Sequence, residues 1–164
     1  MCSSLSKIKI CAIIVSYYPT EELFENIDSL VNQIDEIIIV DNGSGLEAKQ
    51  LLDKLKKQHL KLKVILLQEN LGIAIALNVG VKEAKTSGYD WVITFDQDSQ
   101  VTPFMIDLMF RTYYSYPHKE IVASLSPQFK SKETNKIYSN SFTSKFHDSL
   151  SYAEIFEVTT SGNL

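Results

Sequence analysis

Two acidic residues one position apart, Asp96 and Asp98, follow an apolar run that begins near Tyr89 and ends at Phe95. The run is rich in β-branched and aromatic residues, which is typical of a buried strand. Side chains alternate along an extended backbone, so the two carboxylates are predicted to project to the same side. They would repel each other unless a cation or hydrogen-bond donors lay between them. Carboxylate oxygens suit Mg²⁺ or Mn²⁺, so the pair is a candidate metal site.

An Asp-x-Asp pair is a weak signal alone, because acids are common where strands end and loops begin. The alternative interpretation is a solvated turn in which Asp98 or Ser99 caps the backbone. Two other predicted strands also end in distinctive residues: Ser16 and Tyr17 close the first, and Asp41 and Asn42 close the second. Ligands of an open α/β sheet bind beyond the carboxyl ends of its strands, so the convergence of these three ends favours a binding site.

The pattern of apolar residues predicts the elements that would position these side chains. The βαβα alternation indicates a doubly wound, mostly parallel sheet flanked by helices. Thr20 and Thr102 are predicted to cap the first and last helices, and the small residues Ala74, Ala76 and Gly80 would allow the third helix to approach a neighbouring element closely. The predicted strands cover residues 8–16, 36–40, 64–67, 89–95 and 120–125, and the predicted helices cover 21–34, 46–58, 73–85 and 103–114.

The composition indicates one globular domain in a reducing compartment. The chain has 164 residues, 45% of them hydrophobic and 22% charged, which is enough for one core. A net charge of −4 and a pI near 5.4 argue against nucleic acid as a partner. Cys2 and Cys11 do not make a disulfide framework, and Cys11 is predicted to be buried. The apolar segment 10–15 is too short for a signal-peptide core or a membrane span.

The C-terminal part of the chain differs in character, because polar and aromatic residues interleave there. Segments 136–142 and 154–160 are predicted strands that are half exposed or line a cleft. The chain ends at Leu164 without a terminating helix or polar tail, so we expect the domain to be incomplete at that end. We predict a single domain over residues 1–164, with βα units over 1–125 and the start of a second region over 126–164.

Four segments occur together in an order and at a spacing that are far more specific than any one of them. They are residues 13–17 (IIVSY), 38–44 (IIVDNGS), 70–80 (NLGIAIALNVG) and 95–99 (FDQDS). In this combination, residues 8 to roughly 110 closely resemble the donor-binding half of family 2 glycosyltransferases, especially their bacterial rhamnosyltransferase-like branch. Residues 160–164 (TSGNL) resemble a later segment near the sugar site. The resemblance implies a GT-A, Rossmann-like α/β fold that binds a nucleotide sugar over 1–125 and begins its acceptor side over 126–164.

The resemblance implies that residues at the ends of the first two strands bind the nucleotide. Ser16 and Tyr17 would line the nucleotide pocket. Asp41 would accept a hydrogen bond from the N3–H group of uracil or thymine. The alternative for Asp41 is a structural turn, which its glycine neighbours also permit, and the residues alone favour neither interpretation.

The segment after the third strand is implied to form one wall of the same pocket. Asn70, Gly72 and Asn78 would face the base and the ribose. Their alternative roles are structural. Asn70 and Gly72 would then form an ordinary turn from strand to helix, and Asn78 would be a helix residue satisfied by a neighbouring loop.

The two acids of the DXD motif are implied to bind ribose and metal. Asp96 would contact the ribose, or the metal through water, and Asp98 would ligate Mg²⁺ or Mn²⁺ directly. The implied reaction is an inverting transfer of a sugar, with rhamnose the leading candidate, from a dTDP- or UDP-linked donor to a saccharide or lipid-linked acceptor. The metal would neutralise the leaving diphosphate. Such a displacement needs a general base, which we expect beyond Leu164.

The implied setting is surface polysaccharide synthesis in the cytoplasm, at the inner face of the membrane, and a peripheral membrane contact by the full-length protein is left open. Two alternatives remain. An Asp-x-Asp pair after an apolar strand also opens the phosphatase fold of the haloacid dehalogenase type. That motif would require Thr where this chain has Gln100, and it normally follows the first strand. The other alternative is a non-catalytic fragment that binds a nucleotide sugar.

Overall fold

The computed structural model describes residues 8–122, 124–131, 134–138, 146–147 and 150–153. The chain divides into two units, Met1–Pro103 and Phe104–Leu164.

In the first unit, strands and helices alternate along the chain, as the apolar pattern predicts. The strands are β1 (Ile10–Ser16), β2 (Glu36–Asp41), β3 (Leu62–Leu66) and β4 (Trp91–Asp96), and the helices are α1 (Glu22–Leu30), α2 (Leu46–Gln58) and α3 (Ile73–Thr86). These four strands pair in parallel in the order β3-β2-β1-β4. The predicted α/β fold, with a mostly parallel sheet flanked by helices, is confirmed.

The strand order reverses at β1. The chain adds β2 and then β3 on one side of this strand and returns to the other side to add β4. The boundary between β1 and β4 is therefore the topological switch point of the sheet, where a crevice opens beyond the carboxyl ends of the strands.

The core lies on the two central strands. Residues 11–14 of β1 and 37–40 of β2 are buried, as expected for strands covered on both faces. Helix α3 approaches one face through Ala76, Gly80 and Ala84, which are spaced four residues apart and buried. A Cβ atom on Gly80 would lie 2.6 Å from Cγ2 of Ile13. The small residues Ala76 and Gly80 thus allow the predicted close approach, whereas Ala74 is exposed.

Strand β4 is less buried than its apolar sequence predicts. Its residues are half-buried or exposed, and Thr94 and Asp96 belong to the exposed class. The reason is its position, because β4 is an edge strand that pairs only with β1 among the described residues.

The predicted helix caps at Thr20 and Thr102 are wrong. Helix α1 begins at Glu22, preceded by Glu21, and has no side-chain cap. At the other end, Lys61 Nζ donates hydrogen bonds to the carbonyl oxygen of the C-cap residue Val31 at 2.9 Å and to that of Ile34, beyond the helix, at 2.8 Å.

The second unit begins with helix α4 (Met105–Ser115), preceded by Phe104 in a left-handed conformation with φ of 63°. A short 3-10 helix covers Lys119–Ile121, where a strand over 120–125 was predicted, so that prediction is wrong. Of the predicted strand 136–142, β6 (Ile137–Tyr138) is described and pairs antiparallel with β5 (Phe129–Lys130). Strands β7 (Phe146–His147) and β8 (Leu150–Ala153) form another antiparallel pair. The predicted strand 154–160 lies outside the described residues.

Candidate functional site

The carboxyl ends of β1, β2 and β4 lie side by side, as the strand-end residues predict. Ser16 of β1 is in register with Asp41 of β2, and Val15 of β1 is in register with Asp96 of β4. The backbone N–H of Asn42 donates to the carbonyl oxygen of Ser16 at 2.8 Å. Ser16, Asp41 and Asp96 are therefore brought to one edge of the sheet, at its switch point.

The carboxylate of Asp41 is buried and held by three donors. The residue is 2% exposed. The Ser16 hydroxyl donates to Asp41 Oδ1 at 3.1 Å, and the Ser44 hydroxyl donates to the same oxygen. The backbone N–H of Ser44 donates to Oδ2 at 2.9 Å. A carboxylate has about four lone-pair positions, so these three bonds fit the structural turn and leave one position without a donor among the described residues.

Tyr17 and Tyr18 present two exposed rings just beyond β1. Their centroids lie 4.5 Å apart with the ring planes at 61°. Tyr18 has an unusual φ of 48°, and its backbone N–H donates to the hydroxyl of Ser44 at 2.9 Å. A hydrogen bond with the Tyr17 side chain raises the pKa of Tyr18. Tyr17 thus lies at the strand end where the sequence places it, beside a second ring that the motif did not single out.

A cleft of about 490 Å³ lies between the segment after β1 and the start of α2. It is lined by Tyr18, Pro19, Ser44, Leu46, Glu47, Ala48 and Leu51. Ser44 connects this cleft with Asp41, because its hydroxyl donates to that carboxylate. Asp96 and Asp98 are not among the lining residues.

The DXD motif lies in a turn and not on an extended backbone. Strand β4 ends at Asp96, residues 97 and 98 form the turn, and the N–H of Ser99 donates to the carbonyl oxygen of Asp96 at 3.1 Å. The prediction that Asp98 continues the extended backbone of Asp96 is therefore wrong, because β4 ends at Asp96. Both acids are nevertheless exposed, and neither carboxylate has a hydrogen-bond partner among the described residues.

Gln97, between the two acids, makes the contacts that connect this turn with β1. Its Oε1 accepts the backbone N–H of Tyr17 at 2.9 Å, and its Nε2 donates to the carbonyl oxygen of Tyr17 at 3.2 Å. The side chain of Asn26, on α1, donates to the carbonyl oxygen of Gln97 at 2.7 Å. The turn therefore has contacts with both β1 and α1.

Asn70 and Gly72 belong to a second network that joins the ends of β2 and β3. Asn70 Oδ1 accepts hydrogen bonds from the side chain of Asn42 at 2.8 Å and from the backbone of Gly72 at 2.9 Å. The backbone N–H of Leu71 donates to Asn42 Oδ1 at 2.9 Å. These bonds fit the structural alternative for Asn70 and Gly72, a turn between strand and helix.

The turn after β2 approaches this segment closely at Gly43. A Cβ atom there would lie 2.4 Å from the carbonyl carbon of Glu69, and the φ of Gly43 is 81°, so only glycine fits both the space and the backbone. Asn78 is not part of the network. It is exposed on α3, and its side chain has no hydrogen-bond partner in the described part of the chain, so the alternative of a neighbouring loop is not observed.

Sequence reasoning did not assign four residues that hold the site together: Asn26, Asn42, Ser44 and Gln97. Asn42 and Ser44 lie inside the cluster of turn formers, so their types were visible but their partners were not. Asn26 carried a signal, because it is a polar residue at helical spacing from Leu23 and Leu30 on the buried face of α1.

The residues of the DXD turn suit a divalent metal ion whose other ligands are substrate phosphates and water. No group of three or more His, Cys, Asp and Glu side chains that could hold a metal occurs among the described residues. Mg²⁺ is commonly held by one or two carboxylates together with substrate phosphates and water. Asp96 and Asp98, both exposed and without a side-chain partner among the described residues, match that donor set.

Comparison with known families agrees with the resemblance of the motifs. The profile of Glycosyl transferase family 2 matches residues 11–160, which is most of the chain. The chain belongs to glycosyl transferase family 2. Family membership favours the transferase interpretation over the phosphatase interpretation, as does the position of Asp96 on the fourth strand of the chain.

Two curated relatives are similar to part of the chain. The dTDP-rhamnosyl transferase RfbF of Shigella flexneri is 34% identical over 96 residues, which is 56% of this chain and 30% of that protein. The poly-beta-1,6-N-acetyl-D-glucosamine synthase of Staphylococcus aureus (strain COL) is 38% identical over 81 residues, which is 49% of this chain and 19% of that protein. The match therefore covers less than a third of either relative.

Within the described residues, no helix has the length and apolar character needed to cross a bilayer.

Proposed function

We propose that the chain binds a nucleoside diphosphate sugar at the carboxyl ends of β1, β2 and β4, as the donor site of an enzyme that transfers the sugar to an acceptor. The observation that carries this proposal is the arrangement at the switch point. Asp41 is buried and oriented by two serines, while Asp96 and Asp98 are exposed and their carboxylates have no partner in the part of the chain that the structure describes. A site with one fixed acceptor and a separate pair of carboxylates suits a base at one end and a diphosphate at the other.

Asp41 would recognise a pyrimidine that carries an N3–H group. The hydroxyl of Ser16 and the backbone of Ser44 orient the carboxylate before any ligand arrives, so little ordering is required on binding. A hydrogen bond to a charged acceptor is about twice as strong as a neutral one. The exposed rings of Tyr17 and Tyr18 would offer apolar surface beside the base.

Asp98 would ligate Mg²⁺ or Mn²⁺, and Asp96 would bind the ribose or a water on the metal. A bound divalent ion would neutralise the charge that develops on the departing diphosphate. The two carboxylates would also repel a diphosphate that arrived without a metal, which makes donor binding dependent on the ion. Asn70, Gly72 and Asn78 would contribute to the wall near the base and ribose.

The specific reaction that we propose is the transfer of rhamnose, with inversion, from a dTDP-linked donor to a saccharide or lipid-linked acceptor. It would contribute to the synthesis of a surface polysaccharide at the cytoplasmic face of the membrane. The name of the Shigella relative supports the rhamnose and the dTDP carrier, and that of the staphylococcal relative supports polysaccharide synthesis. UDP is the second candidate carrier. The general base and the acceptor site stay predictions outside the described residues.

The decisive experiment is a thermal-shift titration with dTDP and UDP, with and without Mn²⁺ or Mg²⁺. A ligand that binds only the folded state stabilises it by about 2.7 kcal/mol at roughly 100 times its dissociation constant. We expect a rise in Tm that requires both nucleotide and metal. Asp98→Asn should lose the metal-dependent part, because an amide is a poorer ligand than a carboxylate for a hard cation.

Asp53→Asn is the matched control, since Asp53 is an exposed acid on α2 away from the motif. It should respond like the wild type. If the wild type melts cooperatively and no nucleotide raises its Tm under any metal condition, the donor-site proposal fails. If the shift persists in full in Asp98→Asn, the metal assignment fails while nucleotide binding stands.

A further inference from the structure

We propose that Gln97 is a positioning residue that fixes the two acids of the DXD turn through hydrogen bonds between its side-chain amide and the backbone of Tyr17, at the end of β1. This inference rests on the proposed donor site, and it concerns a residue that no motif role covers. Exposure alternates through the turn: Asp96 and Asp98 are exposed, whereas Gln97 between them is half-buried. The side chain of Gln97 is therefore turned towards the protein while the acids face outward.

Both polar atoms of the Gln97 side-chain amide form hydrogen bonds with Tyr17. The amide oxygen accepts the N–H of Tyr17 at 2.9 Å, and the amide nitrogen donates to the carbonyl oxygen of the same residue at 3.2 Å. An ionised glutamate at this position would keep the acceptor and lose the donor, and asparagine would be one methylene shorter. The geometry therefore selects glutamine by both length and hydrogen-bonding pattern.

The backbone of the same residue is held from the opposite direction. Asn26 is 3% exposed and donates through Nδ2 to the carbonyl oxygen of Gln97 at 2.7 Å. Its Oδ1 is the only buried side-chain polar atom without a partner in the described part of the chain. Flipping the amide would bring Oδ1 against the carbonyl oxygen of Gln97, so the hydrogen bond to Gln97 determines the orientation of Asn26.

The consequence is a turn whose two acids are exposed and have no side-chain hydrogen bond to any described residue. The Ser99 N–H closes the turn on the carbonyl oxygen of Asp96, and Gln97 ties it to β1 and α1. Two unpaired carboxylates repel each other and would move apart on a free loop. Holding the backbone between them removes part of the ordering that metal binding would otherwise require.

The test compares the binding of Mn²⁺ in the presence of dTDP or UDP, measured by the loss of the free Mn²⁺ signal in electron paramagnetic resonance. Gln97→Met keeps the length and removes both hydrogen bonds. Changes in groups that orient metal ligands typically weaken metal binding about 10–100-fold, and we expect a loss in this range. Gln100→Met is the matched control, because Gln100 is exposed and only donates to Glu25 at 3.2 Å.

A merely structural role would lower the Tm without ligand as well as weaken Mn²⁺ binding. Positioning predicts that only the metal-dependent part of binding falls while the Tm without ligand stays close to that of Gln100→Met. If Gln97→Met binds Mn²⁺ as tightly as Gln100→Met, the inference is overturned. If the wild type itself shows no metal-dependent binding, that result contradicts the proposed donor site and not the positioning role of Gln97.

Gln97→Glu keeps the test decisive if Gln97→Met does not fold. A third carboxylate beside Asp96 and Asp98 would tighten Mn²⁺ binding if charge alone mattered. The positioning role predicts weaker Mn²⁺ binding, because the glutamate carboxylate cannot donate to the carbonyl oxygen of Tyr17. Weaker binding than in the wild type supports the inference, and equal or tighter binding contradicts it.

Discussion

Asp41 is the residue at which the structural and ligand-binding interpretations meet. Three donors from Ser16 and Ser44 explain why a carboxylate is stable with 2% exposure at the end of a buried strand. The same contacts orient the remaining acceptor position. A structural role for Asp41 therefore does not exclude a role in binding the nucleotide base. The base preference of a variant at this position distinguishes the two roles.

Asp41→Asn is expected to change base preference without unfolding the chain. The amide oxygen can accept the Ser44 N–H, and one of the two serine hydroxyls can rotate to accept one amide N–H. The second amide N–H can then donate to the N3 atom of cytosine, which an ionised carboxylate cannot do. We predict that the wild type binds UDP more tightly than CDP and that the variant reduces this ratio about tenfold or more.

Calorimetry with Mn²⁺ present would give both affinities. Ser44→Ala is the control, because it retains the Asp41 charge while removing one hydroxyl donor. It should weaken UDP and CDP alike. An unchanged UDP to CDP ratio in Asp41→Asn would mean that Asp41 acts in the turn and does not touch the base.

At the scale of elements, the sequence predicts the regular helices and strands well and their ends poorly. The prediction for α2, residues 46–58, matches Leu46–Gln58, because thirteen residues of amphipathic pattern carry the signal. The caps at Thr20 and Thr102 failed because a cap is a single local feature, and these helices begin at Glu22 and Met105. The strand predicted at 120–125 failed because a short apolar segment carries no decisive period.

The candidate site shows the same division between local and distant information. Motif residues such as Ser16, Asp41 and Asp96 could be located because each closes a predicted strand, and parallel strands bring their ends to one edge. The role of Gln97 could not be predicted, because its partner Tyr17 is 80 positions away and follows a different strand. Sequence indicates which side chains reach the site, but only the register of the sheet indicates which backbone atoms hold them.

The contact between α3 and the sheet gives a prediction at this scale. Gly80→Ala would gain about 1 kcal/mol of helix propensity. Its Cβ would however lie 2.6 Å from Ile13 Cγ2 and 3.3 Å from Val40 Cγ2, and overpacking typically costs about 1–3 kcal/mol. We expect net destabilisation of up to about 2 kcal/mol in urea unfolding.

A double-mutant cycle identifies the cause. Ile13→Ala removes the methyl group that Gly80→Ala would meet, so the two changes together should destabilise less than their sum. Leu52→Ala, at a buried position on α2, is the control and should combine additively with Gly80→Ala. Additive effects in both cycles would refute the steric explanation.

At the scale of the whole molecule, the site and the core share the same strands. Asp41 follows the buried residues of β2 directly, and Ser16 ends the strand that contains Cys11 and Ile13. Loss of order in the central strands would therefore disturb the donor site as well. A buried group in β1 can report on the stability of the unit that carries the site.

Cys11 is that group. Burial, followed by the nearby charge of Glu36, raises the pKa of the thiol from 9.0 to about 12. Between these values the unfolded chain releases the thiol proton and the folded chain retains it, so stability is unaffected below pH 9 and falls as the pH rises above it. We predict that the free energy of unfolding drops by about 1.4 kcal/mol between pH 8 and 10, as measured by urea unfolding at both values.

Two variants separate Cys11 from the other titrating groups. Cys11→Ala should lower stability at pH 8 by creating a cavity but should lose most of the decrease between pH 8 and 10. Tyr89→Phe should keep most of that decrease, because burial raises the pKa of Tyr89 from 10.0 to about 12, so most of its contribution falls above pH 10. Cys2→Ala, a matched change outside the described residues, should also keep it. Parallel pH profiles for the wild type and Cys11→Ala would show that the thiol does not stay protonated inside the folded sheet.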